Sequence, residues 1–343
     1  MKINIASETK YFIQGNGVHT AFVDHVALMK NADNIEVVVN EEGHGDIFHC
    51  HTYGPYYFLK GLRYKGHRVH TVHVIPESIE GSLPKSDFFM PFVKWYFKKV
   101  YSYADVCIAI SPQVEKAIQE TGAHTEIVRI NNPISTEKWK STPERRKEGR
   151  ASLGIGKKEF VILGVGQLQA RKGVEEFIDM AGEMPEARFV WAGGRPFKAM
   201  TEGIVRINKR IENAPSNIQF TGLLDLEKMP QIYAAADLFL FPSFQENCPM
   251  APMEAAASGL PVVFRDLEEY KTLYDHTYIQ AKNTKDFIDI ARRMMNDHSY
   301  YKEAVLISDN LIRQFDKNTI REKFIHLYQD LNERKSAFSL FRI

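Results

Sequence analysis

The sequence predicts an α/β protein built on two doubly wound parallel sheets, and three observations carry that reading. Short β-branched and aromatic runs alternate with longer segments of helical period, as in parallel strands joined by crossover helices. The pattern breaks once, at Asn132-Pro133 and a basic polar stretch, Ser141-Thr142-Pro143-Glu144-Arg145-Arg146-Lys147, and then restarts. The chain has 343 residues, 44% of them apolar, enough to bury two cores of ordinary size.

In the first half, strands are expected at 2–6, 35–39, 46–52, 68–74, 106–110 and 127–131, with helices in the gaps. In the second half, Glu159-Phe-Val-Ile-Leu-Gly-Val-Gly166 reads as a strand ending in glycine. Arg188-Phe-Val-Trp-Ala192, Asn217-Ile-Gln-Phe220, Leu238-Phe-Leu-Phe241 and Leu260-Pro-Val-Val-Phe264 follow as four more. Beyond residue 284 the apolar spacing is helical throughout, as in Ile320, Phe324, Ile325, Leu327 and Tyr328. The expected division is a first domain over 1–135, a linker over 136–152, a second domain over 153–314, and a C-terminal helix over 315–343 that packs back on the first. Open α/β sheets bind ligands at the carboxyl ends of their strands, so a nucleotide-sized ligand is expected in a cleft between the domains.

Composition narrows the function. A formal net charge of +1 offers no global attraction to nucleic acid, which is not expected as a partner. Three scattered cysteines make neither a disulfide framework nor a CxxC metal site and point to a reducing compartment, the cytoplasm. No stretch approaches the ~20 apolar residues of a membrane span, and no signal-peptide core precedes the first strand.

The most informative segment runs from Phe241-Pro-Ser through Glu246 and Glu254 to Gly259. Glu246 lies on a loop after a strand and can reach a hexose hydroxyl. Glu254 lies about one turn inside a short helix and can accept two ribose hydroxyls. Between them, amides at the helix start can bind a diphosphate. Pro249 and Pro252 lack an N–H, so Cys248, Met250 and Ala251 are the useful donors, with Asn247 beside them. An isolated pair at this spacing is more often a solvated helix surface. The small residues of Met253-Glu-Ala-Ala-Ala-Ser-Gly259 favour a site, because they permit close backbone approach.

With this segment the chain resembles the family 4 retaining glycosyltransferases of GT-B fold, in which two Rossmann-like domains face a central cleft. The likeness covers nearly the whole chain. It includes Gly166-Gln-Leu-Gln-Ala-Arg171-Lys172-Gly173, Phe220-Thr-Gly222, and Tyr233-Ala-Ala-Ala-Asp237 leading to Phe241-Pro-Ser243. The resemblance implies that Lys172, helped by Arg171, neutralises the donor diphosphate. The family usually carries arginine where this chain has Gln167, and Arg171 is the expected substitute. Gly15 and Gly17 lie in Gln14-Gly-Asn-Gly-Val18, a loop that the resemblance implies approaches a phosphate. His73 matches the active-site histidine of the family, whose implied role is a hydrogen bond to the transferring sugar. His49, His51 and His70 are read as satisfied core histidines rather than metal ligands. No Asp-x-Asp occurs, so no metal or other cofactor is expected, and Lys172 with helix amides takes the part of a divalent ion. The implied chemistry is front-face, retaining hexosyl transfer catalysed with His73, Lys172 and Glu246, from a nucleotide-sugar, UDP-glucose or UDP-galactose.

Residues 85–103 combine four lysines with eight aromatics. A helix from Pro91 would set Lys94, Lys98 and Ser102 on one strip and Phe92, Tyr96, Val100 and Tyr103 on the opposite face. Lys94, Trp95, Lys98 and Lys99 are the expected contacts to an anionic membrane surface. Family members that glycosylate bacterial diacylglycerol lipids look similar here, which implies a membrane glycolipid acceptor such as a monoglycosyldiacylglycerol and a peripheral place on the inner face of the cell membrane. The rival acceptors are a cell-surface polysaccharide and a lipid-linked oligosaccharide precursor. Two other classes compete. An NAD-dependent oxidoreductase draws on Gly15-x-Gly17, but these glycines lie eight residues past the first strand and Thr20 stands where a third is needed. A non-catalytic membrane adaptor draws only on residues 85–103 and leaves Glu246, Glu254 and Lys172 unexplained.

Overall fold

The computed structural model describes residues 1–9, 17–80, 86–194 and 204–340. The chain divides into two compact units, Met1–Pro133 with Phe315–Ile343, and Ile134–Gln314.

The first unit holds strands β1 (Lys2–Ala6), β2 (Glu36–Val39), β3 (Ile47–Cys50), β4 (His67–Val72), β5 (Val106–Ala109) and β6 (Glu126–Arg129). All pair in parallel, in the order β2-β1-β3-β4-β5-β6. Every residue of β3 and β5 is buried, because both faces of the sheet are covered, and these strands therefore read as apolar runs rather than alternations. One face packs Ile3, Ile5, Ile47, Val69 and Ile108 against Phe22 and Met29 of the helix Gly17–Lys30 and against Ile320, Phe324, Tyr328 and Leu331. The last four belong to the helix Lys317–Leu340. Asp316 starts that helix, its Oδ1 accepting the amides of Asn318 and Thr319 at 3.0 Å each.

The second unit holds β7 (Val161–Val165), β8 (Arg188–Ala192), β9 (Ile218–Gly222), β10 (Leu238–Phe241), β11 (Val262–Arg265) and β12 (Ile279–Ala281), also all parallel, in the order β12-β11-β10-β7-β8-β9. Its core gathers Ile162, Phe189, Trp191, Leu240 and Val263 with Phe177, Ile178 and Phe287 from flanking helices.

Two expectations need correction. The second sheet has six strands rather than five, because the three-residue β12 extends its edge beside β11. Residues 136–152 are not a solvated linker; they form the helices Thr136–Trp139 and Pro143–Ser152, both in the second unit. The charges misled. Arg146 pairs with Asp237 at 2.6 Å, and buried Arg150 donates to the carbonyls of Ala235, Gly156 and Glu159 at 2.6–3.0 Å. Gly149 lets this helix lie against the helix Met229–Ala235, where an added Cβ would sit 2.0 Å from the Gln231 carbonyl oxygen.

Candidate active site

In the second sheet the winding direction changes between β7 and β10, since β8 lies on one side of β7 and β10 on the other. The crevice at the carboxyl ends of two such strands is where an open α/β sheet takes its ligand. Lys172 lies on the segment after β7 and Glu246 on the loop after β10.

Backbone contacts lace these two loops together. The carbonyl oxygen of Arg171 accepts the amide of Phe244 at 2.7 Å and lies 3.0 Å from the Ser243 hydroxyl. Gly173 has φ +72°, and a Cβ there would stand 2.3 Å from the Pro242 carbonyl oxygen, so a larger residue would push the loops apart. Arg265 holds the same carbonyl through Nε at 2.9 Å while its guanidinium lies 3.8 Å over the Phe244 ring. So anchored, the Lys172 ammonium donates to Oε1 of Glu246, an oxygen that also lies 2.7 Å from the Ser243 hydroxyl. Burial pushes the Lys172 ammonium below the ordinary lysine range; the Glu246 charge opposes this and the Arg171 charge adds to it. A buried cation of this kind gains from a second anion, and an ammonium has three N–H donors, so it can keep Glu246 and take a phosphate oxygen as well. Arg171 sends its guanidinium to the Gln245 carbonyl at 3.3 Å.

Glu254 sits in the helix Ala251–Ala257, its amide bonded to the Met250 carbonyl at 2.8 Å. The side chain is buried, and its Oε2 accepts the Tyr233 hydroxyl at 2.7 Å. The helix ends in a Schellman turn, with the Gly259 amide on the Ala256 carbonyl, the Leu260 amide on the Ala255 carbonyl, and Gly259 at φ +88°. Cys248, Met250 and Ala251 lie at the amino end of this helix, with Asn247 just before them. Amides in a first helical turn have no intrahelical acceptor, which suits them to an anion.

In the first unit, His73 follows β4 and is almost fully buried. Its Nε2 lies 2.9 Å from Nδ1 of His51, which follows β3. Gly17 opens the helix Gly17–Lys30, and among the described residues nothing lies within 4 Å of where a Cβ would stand. Gly15 lies outside the described residues.

The chain matches a family profile described as glycosyl transferases group 1 over residues 159–297 and one described as glycosyltransferase family 4 over residues 33–138. It is 30% identical to the alpha-galactosylglucosyldiacylglycerol synthase of Streptococcus pneumoniae, across 98% of this chain and 90% of that one. The chain belongs to glycosyltransferase family 4. This glycosyltransferase is also 25% identical to the processive diacylglycerol alpha-glucosyltransferase of Acholeplasma laidlawii, across 96% of its own length and 98% of the relative's. Among solved structures, Anabaena HepE in complex with UDP-glucose superposes with a TM-score of 0.75 at 18% identity, covering 96% of this chain and all of that one. The sucrose-phosphate synthase of Thermosynechococcus elongatus superposes at 0.77 with 16% identity, covering 96% and 99%. The fold is GT-B.

The sequence did not reveal several residues that hold the candidate site residues in place. Tyr233 and Ser243 stand inside the quoted motifs, but nothing local signals that they hold Glu254 and Glu246. Arg265 ends β11 and reads as an ordinary strand terminus. His25 and Tyr328 are buried partners in the first unit, 303 residues apart in sequence.

The helix Ser86–Tyr103 departs from its expected faces. Phe97, Val100 and Tyr101 point inward, whereas Phe92, assigned to the covered face, is 65% exposed and stacks on the exposed Trp95 at 5.6 Å. The inward stripe follows helical spacing from Met90 to Phe97 and Tyr101, which turns residue 92 to the outside. Lys94, Lys98 and Lys99 are exposed around this pair. On the helix Pro55–Leu62, whose Phe58 ring packs on Tyr96 and Tyr103, Tyr56, Leu59 and Leu62 are exposed too. Among the described residues no helix is long and apolar enough to cross a membrane.

Proposed function

We propose that this glycosyltransferase transfers a hexose, with retention and without a metal ion, from UDP-glucose or UDP-galactose to a membrane glycolipid of the monoglycosyldiacylglycerol type. The observation that carries the donor side is the coupling of Lys172 to Glu246 where the winding of the second sheet reverses, with Glu254 buried one helical turn beyond. Lys172, with Arg171 beside it and the amides of Cys248, Met250 and Ala251, neutralises the diphosphate. Glu246, supported by Asn247, takes a hexose hydroxyl, and Glu254 takes the ribose. His73 is proposed to hydrogen-bond the transferring sugar, and the loop of Gly15 and Gly17 to approach a phosphate, as the resemblance implies. In the transfer the bond from the anomeric carbon to the phosphate oxygen breaks. The acceptor oxygen bonds to the same face of the sugar, and its proton passes to the departing phosphate. The charge that grows on that phosphate is stabilised most by Lys172, which is preorganised and partly desolvated.

The acceptor assignment is supported by two relatives whose names specify diacylglycerol lipids, and by the basic aromatic surface around Trp95. Lys94, Lys98 and Lys99 attract anionic headgroups while Phe92 and Trp95 enter the interface, holding the enzyme on the inner face of the cell membrane. Mass spectrometry of products from a panel of UDP-sugars with mono- and unglycosylated diacylglycerols tests the assignment. A diglycosyl product from one UDP-hexose, formed at the same rate in excess chelator, is the expected result. Product only with polyprenyl-linked or polysaccharide acceptors, or activity restored only by Mg or Mn, would overturn the corresponding part.

A further inference from the structure

Among the described residues, six buried groups of the first unit are joined in one line of hydrogen bonds. Thr71 Oγ1 lies 2.6 Å from Nε2 of His49, and Nδ1 of His49 lies 2.5 Å from the Tyr328 hydroxyl. That hydroxyl is 3.0 Å from Nε2 of His25, whose Nδ1 is 2.8 Å from Nε2 of His51. Nδ1 of His51 then meets Nε2 of His73 at 2.9 Å. All six are at most 9% exposed. They come from β4, β3, the helix Lys317–Leu340, the helix Gly17–Lys30 and the loops that follow β3 and β4. The line reaches the carboxyl edge of the sheet at His73, the histidine that carries a proposed catalytic role.

The order of the contacts has a chemical consequence. Burial holds His25 and His73 down to about 3, and His49 and His51 well below the ordinary imidazole value, so the rings are neutral. A neutral imidazole carries one N–H donor and one bare acceptor, and each hydrogen bond needs one of each. If His51 donates through Nδ1, its Nε2 must accept from Nδ1 of His25. Nε2 of His25 must then accept from Tyr328, whose oxygen must accept from Nδ1 of His49. Reversing any link reverses all of them, because a Tyr328 oxygen that accepted from both rings would strand its own buried proton, at a cost of about 1–3 kcal/mol. Along this line each ring is entered at Nε2 and left at Nδ1, so every ring must carry its proton on the same type of nitrogen.

We infer that the line locks His25, His49, His51 and His73 into a single shared tautomer, with Tyr328 as the link that transmits it, and so decides whether the remaining ring nitrogen of His73 is a donor or an acceptor. Tyr328 and His25 are thereby positioning residues for His73. A metal centre on His25, His49 and His51 fits the geometry less well. Their candidate ligand atoms spread to 4.8 Å, and the His25 and His51 nitrogens face each other at hydrogen-bond distance. Zinc needs its ligand lone pairs to converge on one point at ~2.0–2.1 Å.

The consequence for catalysis rests on the role proposed for His73; the shared tautomer does not. Two-bond proton–nitrogen NMR of ring-labelled enzyme reads the protonated nitrogen of each histidine directly. All four rings on the same nitrogen type is the expected result. A mixture of the two types, a ring protonated on both nitrogens at neutral pH, or a stoichiometric metal whose removal moves these signals would overturn the inference. In Tyr328→Phe, with unchanged circular dichroism, His73 should populate both tautomers and kcat should fall on the order of tenfold with the donor KM little changed. A His73 signal identical to the parent would remove Tyr328 from the positioning role, and should this variant not fold, the parent spectrum alone still decides the shared tautomer. Full turnover in His73→Gln would instead count against the catalytic role of His73 and leave the tautomer result standing.

Discussion

The Tyr233 hydroxyl donates to Oε2 of Glu254 at 2.7 Å, tying the helix Met229–Ala235 to the helix that carries this candidate donor-site carboxylate. Burial and the adjacent carboxylate both drive the Tyr233 pKa well above its ordinary value, so the phenol stays a donor throughout the working range. Tyr233→Phe removes one hydrogen bond to a buried carboxylate, a loss of about 1–3 kcal/mol. We expect it to weaken UDP binding roughly tenfold, in the direction of Glu254→Gln, with kcat changed much less. Calorimetric titration with UDP checks this, and unaltered affinity in both variants would separate Glu254 from the ribose.

Lys172 and Glu246 form a buried pair, and removing one partner strands the other. Lys172→Met should cost about 3–5 kcal/mol of stability and lower kcat by about 10²–10³. Glu246→Gln should mainly slow transfer. If the pairing is energetic as well as geometric, the double variant will be more stable than the sum of the single losses predicts. Urea denaturation across the four proteins measures the coupling, and strict additivity would refute it.

Five buried histidines make the first unit sensitive to acid. His25 and His73 titrate at about 3 and His70 at about 4 when folded, with His49 and His51 also well below the ordinary value of 6.5. The unfolded chain binds protons that the folded one refuses, so stability is complete above about pH 6.5. It then falls by about 1.4 kcal/mol per pH unit for each such histidine as the pH drops toward the folded values. Hydrogen exchange, corrected for intrinsic rates, should show β3 and β4 amides losing protection between pH 7 and 5 while those of β7 and β10 lose far less. Equal losses in both sheets would contradict the assignment.

The lysines around Trp95 should govern attachment to lipid. Changing Lys94, Lys98 and Lys99 to Glu reverses the local charge, at a cost of about 1 kcal/mol of surface attraction for each positive charge lost. Flotation with anionic vesicles should fall more than tenfold, while UDP affinity, in which these three lysines have no proposed part, is unchanged. Undiminished flotation would take this helix out of the membrane contact.

What the sequence disclosed follows the range of the interactions involved. Strands buried on both faces announce themselves as apolar runs, which is why β5, β8 and β10 stand where the pattern places them, while β1 shows as an alternation, Lys-Ile-Asn-Ile-Ala. Gly259 marks its helix end because a Schellman turn is written in adjacent residues. β12 is too short to carry a period, and the helix Pro143–Ser152 hides behind arginines whose acceptors lie near residues 234–237. The two glutamates were visible at their spacing. Their holders, Ser243 and Tyr233, were not, since one hydroxyl in a loop and one phenol in a helix look alike whether or not a carboxylate faces them.

The helix Lys317–Leu340 belongs to the first unit in space but to the last part of the chain in time. On a ribosome adding ~5–20 residues per second, the first sheet must wait on the order of ten seconds, while all of the second unit is made, for Phe324 and Tyr328 to cover its apolar face. During that interval the face of Ile3, Ile47 and Val69 lacks this part of its cover and is apolar surface open to aggregation, and the unit synthesised second can be the first to finish folding.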